Sequence, residues 1–296
     1  MTAGERLGVI VKGVGGLYYA RDAEGEVYVL RAKGVFRRRH LTPLVGDRIR
    51  LMPGTGEEHG WIEEILPRGS ELIRPPVANI LRLLFVLAPE PEPDLLLLDR
   101  MLVMAREQQI DPVIVVNKCE LDPALGARIR EEYAKADVRV LEVSARQAIG
   151  LDALAGALRG GICCFAGQSG VGKSSLVNAV TGLTLEAGEI SRRIARGKNT
   201  TRHAELLMRD GYQVLDTAGF SLLDLWDRLE PIQLEAFYPE FAPYEGACRF
   251  QPCYHENEPG CAVLEAARAG ALPAGRLERY HQLLAKVKET WRNRYV

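Results

Sequence analysis

The stretch GQSGVGKSS, Gly167 to Ser175, decides the fold of this chain. Gly167 and Gly172 bracket a loop of the form GxxxxGKS, in which backbone N–H groups converge on phosphate oxygens, Lys173 reaches the β- and γ-phosphates, and the Ser174 hydroxyl ligates magnesium. The apolar run GICCF supplies a strand before the loop, and KSSLVNAV opens a helix after it, whose N-terminus adds a positive dipole end. A glycine-rich turn serving only packing is the alternative, but GxxxxGKS between strand and helix is too specific for it. Gly167, Gln168, Ser169, Gly170, Val171, Gly172, Lys173, Ser174 and Ser175 are thus expected to hold a nucleoside triphosphate. The loop begins more than half-way along a chain of 296 residues, so the segment before it needs its own account.

That segment carries the base-recognition half. In VIVVNKCE, Asn117, Lys118, Cys119 and Glu120 follow an apolar run, and in VLEVSA, Ser144 and Ala145 follow the next one. In guanine-nucleotide-binding proteins NKxD and SA segments form the base pocket, with a carboxylate accepting from guanine N1 and N2; Cys119 reads as a spacer. There they come after the phosphate loop. Here they precede it, and the loop is followed by the threonine pair Thr200–Thr201 and by DTAG, Asp216 to Gly219, suited to magnesium and the γ-phosphate. The order is a circular permutation, in which one sheet is built with different chain ends. Two base motifs in correct mutual order, each after a strand, argue against NKCE as an accidental loop.

Around this centre the chain has three textures. Residues 7 to about 70 carry short β-like runs (LGVIV, EVYVL, DRIRL, GWIEEIL) between glycine-rich turns, which predicts a small all-β barrel. RPPVAN, Arg74 to Asn79, reads as a linker, because consecutive prolines oppose ladder pairing. From Ile80 to about Ala218, apolar strands alternate with helical periodicity, as in Leu95 to Gln108, which predicts a parallel α/β domain. Thirty-eight basic against thirty-nine acidic residues give a net charge of −1, so any nucleic-acid binding must rest on local patches. The longest apolar stretch, Ile80 to Ala88, is short and interrupted by Arg82, which argues against a membrane span. A cytoplasmic location is expected, and with it reduced or metal-bound cysteines.

Cys248, Cys253, His255 and Cys261 form C-x4-C-x-H-x5-C, three thiolates and one imidazole suited to closed tetrahedral zinc. Buried reduced cysteines or a disulfide are the alternatives. Cys163 and Cys164, inside an apolar run, read as core. Arg37 to His40, with Lys33, Arg68 and Arg74, could form a basic groove for single-stranded nucleic acid or a solvated charge cluster. The tail from Arg276 to Val296 could dock on RNA or pack on the nucleotide-binding domain.

The chain resembles the circularly permuted ribosome small-subunit-dependent GTPases of bacteria, most specifically through GQSGVGKSSLVNA and CRFQPCYHENEPGCAV, and over nearly its whole length. The resemblance implies a multidomain fold: an N-terminal OB-type β-barrel that binds RNA over 1–74, a central circularly permuted α/β P-loop GTPase domain over 75–225, and a zinc-binding, mainly helical C-terminal domain over 226–296. It implies a GTPase that binds the small ribosomal subunit and its rRNA late in assembly and leaves after hydrolysis. The expected cofactors are one structural Zn2+ and Mg2+ with GTP, and the expected state is a monomer. Two positions depart from the family: Glu120 stands where Asp is usual, and Asn199 where the family has a switch histidine.

Lys173, Asp216, Gly219, Ser174 and a switch threonine, Thr200 or Thr201, are expected to hold magnesium and neutralise phosphate charge. A residue to orient the attacking water is missing, because Phe220 follows Gly219 where Ras-like enzymes place a Gln nearby. Slow intrinsic turnover stimulated by the small subunit is the expectation. The segment after DTAG runs towards the cysteine cluster, so its nucleotide-dependent movement is expected to reach the C-terminal domain. A P-loop kinase is disfavoured by the base motifs, whereas a nucleotide-regulated RNA adaptor is not excluded by sequence.

Overall fold

The computed structural model describes residues 4–56, 58–73, 76–183, 204–216 and 229–293. Strand β1 (Arg6–Val14) turns through Gly15 and Gly16, both at positive φ, into β2 (Leu17–Arg21), the two-residue connection whose twist suits a hairpin. β3 (Val27–Ala32) follows, then a short helix α1 (Gly34–Arg38), β4 (Arg48–Met52) and β5 (Gly60–Ile65). The pairing runs β1-β2-β3-β5-β4 and closes through β4 onto β1. Alternate residues point inward, and Ile10, Leu30, Ile49, Leu51 and Ile62 are completely buried.

The proline pair does not end strand pairing. β6 (Glu71–Ile73) pairs antiparallel with β7 (Pro76–Ala78), Ile73 standing opposite Pro76 at the end of the ribbon, where a missing N–H is tolerated. The ribbon seals the barrel to the next domain. Ala78 N donates to Val45 O at 2.9 Å, and Gly46 sits at φ +92, where a Cβ would lie 2.1 Å from Ala78 O. Fully buried Asp47 accepts both Nε and Nη2 of Arg68 at 2.7 Å, and Leu44 N at 2.7 Å. Arg68 therefore serves this seam rather than a basic groove. Lys33 is paired with Glu63.

The second domain comprises β8 (Ile80–Leu87), α2 (Leu95–Glu107), β9 (Asp111–Val116), α3 (Leu125–Glu132), β10 (Arg139–Glu142), α4 (Leu151–Ala157), β11 (Ile162–Ala166), α5 (Lys173–Thr181), β12 (Glu205–Arg209) and β13 (Tyr212–Asp216). Strand order is β10-β9-β8-β11-β13-β12, all parallel except β12. Helices cover both faces, which is why the strands are continuously apolar. Leu83, Phe85, Cys164 and Ile114 pack on the side of α2 and α3, while Leu84, Val86, Cys163 and Val115 pack on the side of α4 and α5. Adjacent Cys163 and Cys164 thus belong to opposite core layers. The edge strand β12 meets β1 of the barrel through Lys12 and Glu205, whose charged groups lie 3.1 Å apart.

The C-terminal part contains 3₁₀ segments Pro231–Phe237 and Pro239–Tyr244, then α6 (Ala262–Arg268) and α7 (Ala274–Asn293). Its core of Leu234, Tyr238, Phe241, Tyr280 and Leu284 packs on α2 through Val103. The tail's described part therefore packs on protein, with Tyr280 buried; Tyr295 lies outside the described residues. Asp99 of α2, completely buried, joins the two parts: it accepts hydrogen bonds from Arg279 Nε at 2.6 Å and Tyr133 OH at 2.5 Å, and Arg276 Nη1 forms an ion pair with it at 2.6 Å. Arg276 also donates to Glu240 at 2.7 Å and lies between the rings of Tyr133 and Tyr238. Replacing Asp99 by Ala leaves the buried guanidinium of Arg276 and the partly buried one of Arg279 without this carboxylate. We expect Asp99→Ala to lower unfolding free energy by about 3–5 kcal/mol; a loss under about 1 kcal/mol in urea titration would refute the role assigned to this cluster.

Candidate functional site

The loop from Gly167 to Gly172 leaves the end of β11 and delivers the chain into α5. Gly167 lies at φ +128 with its α-carbon so close to β8 that a Cβ would come 2.2 Å from Val86 O. Gly172 lies at φ +94, where a Cβ would come 2.4 Å from Asn117 Nδ2. Both positions require glycine for conformation and for space. Between them Val171 is buried, while Ser169 and Gly170 face outward with Ser175. Ser174 is buried in the first turn of α5. Lys173 Nζ donates to Gly167 O at 2.9 Å and Gln168 O at 2.7 Å, folding over the loop that would receive phosphate. Burial lowers its amine to about 8. Gln168 Oε1 accepts from Asp94 N at 3.2 Å, tying the loop to the start of α2.

The motifs that precede the loop in sequence surround it in space. Asn117, at the end of β9, is buried and donates through Nδ2 to Val171 O at 2.8 Å, while Oδ1 accepts Ala145 N at 3.4 Å. One side chain thus ties three motifs together. Lys118 Nζ bridges Gly170 O at 2.8 Å and Glu90 O at 3.0 Å. Cys119 donates its N–H to Val143 O at 3.2 Å, and burial raises its thiol, consistent with a spacer. Ser144 is buried, its Oγ accepting Gln147 N at 3.0 Å.

Asn117, Lys118, Glu120, Ser144, Ala145 and Gly172 line a pocket of about 420 Å³. Within it, Glu120 Oε2 is buried and has no hydrogen-bond partner. A buried carboxylate oxygen without a donor is costly, and a ligand edge rich in N–H groups would satisfy it. Arg146 also lines this pocket and was not singled out from sequence, although it directly follows the Ser144–Ala145 pair. Asp216 ends β13; its side chain, and Asn199, Thr200, Thr201, Gly219 and Phe220, lie outside the described residues.

The cysteine cluster assembles in the C-terminal part. One donor atom from each of Cys248, Cys253, His255 and Cys261 falls within 4.8 Å of the others, and all four residues are buried. The Cys248 and Cys261 sulfurs are 3.9 Å apart, and His255 Nδ1 lies 3.2 Å from Cys261 Sγ. Zn–S bonds of about 2.3 Å in a tetrahedron set the sulfurs about 3.8 Å apart, so the donor set fits zinc. A disulfide between these two sulfurs does not fit that separation. Burial pushes the Cys253 thiol up to about 12, so thiolates here need a cation beside them.

A further concave surface lies on the barrel, lined by Tyr18, Arg31, Lys33, Arg37 and half-exposed Trp61. Arg37, Arg38, Arg39 and His40 are exposed beside it.

Comparison with known proteins agrees with this architecture. The family described as RsgA GTPase matches residues 65–226, and the RsgA N-terminal domain matches residues 7–62. The chain is 43% identical over 289 residues to the small ribosomal subunit biogenesis GTPase RsgA of Ruminiclostridium cellulolyticum, covering 96% of this chain and 94% of that one. It is 44% identical to the protein of that name from Geobacillus kaustophilus, covering 95% and 97%. Among solved structures, YjeQ from Thermotoga maritima superposes with a TM-score of 0.81 at 32% identity, over 96% of this chain and 98% of that one. YloQ, described as a circularly permuted GTPase, gives 0.78 at 32% identity, over 96% of each chain.

The packing of Gly172 gives a test that needs no ligand. Gly172→Ala strains a positive-φ position and forces its Cβ against Asn117, so we expect a loss of about 1–3 kcal/mol in the unfolding free energy of the ligand-free chain. Unchanged urea unfolding would refute this geometry.

Proposed function

Because this chain belongs to the RsgA family of GTPases, we propose that GTP is held with guanine against Glu120 and its phosphates in the loop from Gly167 to Ser175. The chain is a GTP hydrolase of small ribosomal subunit biogenesis. The observation that carries the nucleotide reading is the partnerless Glu120 Oε2 in a pocket bordering the phosphate loop. Guanine N1 and N2 present adjacent N–H donors that satisfy it, whereas adenine presents an acceptor at N1. The extra methylene of Glu120 relative to Asp is taken up within this half-buried pocket.

Phosphate binding draws on Lys173, which exchanges its hydrogen bonds to Gly167 O and Gln168 O for phosphate oxygens. Ser174 and Thr200 or Thr201 would hold the magnesium that the GTPase family implies, which would supply charge neutralisation to the phosphates. Asp216 and Gly219 border the γ-phosphate in this reading. Turnover of the free protein is slow in this reading, because Phe220 follows Gly219 where Ras-like enzymes place a glutamine nearby and Asn199 replaces the family's switch histidine; the small subunit orders the switch and accelerates it. Cys248, Cys253, His255 and Cys261 hold zinc with no open position, which makes the ion structural. Trp61 and Tyr18 offer stacking faces beside Arg31 and Arg37, which supports rRNA binding in the barrel groove. The chain works as a monomer in the cytoplasm in this reading, with domain limits at 74–75 and 225–226. Among the described residues no helix is long and apolar enough to cross a membrane.

Phosphate release measured with and without purified small subunits tests the central claim. Stimulation towards the 10³- to 10⁵-fold range seen when a partner completes a GTPase site is expected, roughly; fast turnover unaffected by subunits would overturn it. In displacement assays Glu120→Ala should weaken GDP by roughly 10- to 100-fold and Glu120→Asp should preserve binding. ATP competing as well as GDP with the native chain would reject the base pocket. Proton linkage tests Lys173. At pH 8 a sizeable fraction of the free molecules carries a neutral amine while the terminal phosphate is already ionised, and bound phosphate favours the charged amine, so nucleotide binding takes up protons there. Calorimetry in buffers of different ionisation enthalpy reads this uptake, and its absence at pH 8 would refute it.

A further inference from the structure

The imidazole of the cysteine cluster is aimed by residues outside the ligand motif. His255 presents Nδ1 to the sulfurs of Cys248 and Cys261, at 3.7 and 3.2 Å. Its other nitrogen, Nε2, lies 2.6 Å from Glu235 Oε2 in the 3₁₀ segment Pro231–Phe237. A neutral imidazole carries one proton, so Nδ1 offers a lone pair to a cation only when the proton sits on Nε2. A carboxylate at hydrogen-bond distance from Nε2 selects that tautomer and orients the ring. His255 itself needs such support, because it stands at φ +58, a backbone conformation that residues with a Cβ adopt at a cost. His281 of α7 donates to its carbonyl at 2.6 Å, and the rings of Phe241 and Tyr280 flank its imidazole.

Glu235 is 40% exposed, as an ordinary surface carboxylate would be, whereas its partner is buried. The asymmetry matters: the exposed acid is joined to the buried ring through the one nitrogen that faces away from the sulfurs. On the reading of the cluster as a zinc centre, we propose that Glu235 is a positioning residue of that centre, fixing the Nδ1-ligating tautomer of His255. Through this contact Glu235 also links the 3₁₀ segment Pro231–Phe237 to the donor cluster. Two residues further on, Phe237 O accepts Arg106 Nη1 of α2 at 2.8 Å, so the same short segment touches the metal centre and the nucleotide-binding domain.

The experiment compares the full-length metal-loaded chain with Glu235→Ala, Glu235→Gln and, as a packing control, Leu272→Ala from the same core. Zinc affinity is read by competition with a chromogenic chelator, and the His255 tautomer by nitrogen-15 NMR of labelled histidine. Glu235→Ala is expected to weaken zinc by about 10- to 100-fold, the range for loss of such an outer partner. Glu235→Gln, which still accepts from Nε2–H, should fall between Ala and the native residue, while GDP binding of all variants reports their folding. Native zinc affinity and an unchanged tautomer in Glu235→Ala would overturn the proposal. So would an equal loss of zinc in Leu272→Ala, since that would assign the effect to packing. If the native chain itself binds no zinc, the metal reading fails with it; zinc held equally by native chain and Glu235→Ala rejects only the role of Glu235.

Discussion

Parallel pairing of β8 with β11 is the contact on which the rest of the structure rests. Ile80 to Phe85 run beside Ile162 to Ala166 in five registered residue pairs, and Leu83, Leu84 and Phe85 with Cys163 to Ala166 are buried between helices on both faces. On one side of this seam lie β9 and β10 with the base motifs at their ends; on the other lies β13, which ends at Asp216. Because these strands are parallel, their C-terminal ends share one edge, where ligands gather in open α/β sheets. The geometry depends on which strands are neighbours and in which direction they run, not on the order in which the chain visits them. Permutation therefore leaves Asn117 against Val171, and Lys118 against Gly170, although the residues of each pair lie more than fifty positions apart.

What permutation changes is where the chain ends lead. The barrel enters through the sealed ribbon at β7, directly before β8, and the C-terminal part follows after the second half of the site. Both attachments rely on buried carboxylates whose partners come from distant sequence: Asp47 with Arg68, and Asp99 with Arg276 and Arg279. Removing one partner of such a buried pair leaves an uncompensated charge, so each junction is sensitive to loss of its carboxylate. Helix α2 has contacts at both ends of this arrangement, through Asp94 to Gln168 of the phosphate loop and through Asp99 to α7. The nucleotide site and the cysteine cluster are thereby attached to one rigid element.

The two flanking parts solve the small-domain problem differently. The barrel closes its sheet and fills it with aliphatic side chains, so no strand edge is left open at β4 and β1. The C-terminal part has short 3₁₀ segments and two helices, and its core is organised around the donor cluster, with Phe241 and Tyr280 against His255. A metal at such a cluster contributes directly to the stability of the fold around it.

Much of the candidate site was legible in the sequence because its chemistry is local. Backbone at positive φ requires Gly172, phosphate binding calls for Lys173 and Ser174 at the head of a helix, and four metal donors lie within fourteen residues. Strand runs of the α/β domain were legible for the same reason, since burial on both faces leaves continuous apolar segments. Other features rested on partners that local pattern does not encode. Arg68 reads as a groove cation until Asp47 is found beside it, and the prolines of the linker read as breaks until β6 supplies a partner for β7. That Arg276 and Arg279 of the tail turn inward follows from the buried Asp99, which lies far away in sequence. Local sequence by itself determined where the backbone conformation and donor types that phosphate, base and metal call for occur, because those demands concern only a few neighbouring residues. Only the tertiary structure decided which charges are spent on holding domains together, because a buried ion's cost is met by groups far away in sequence.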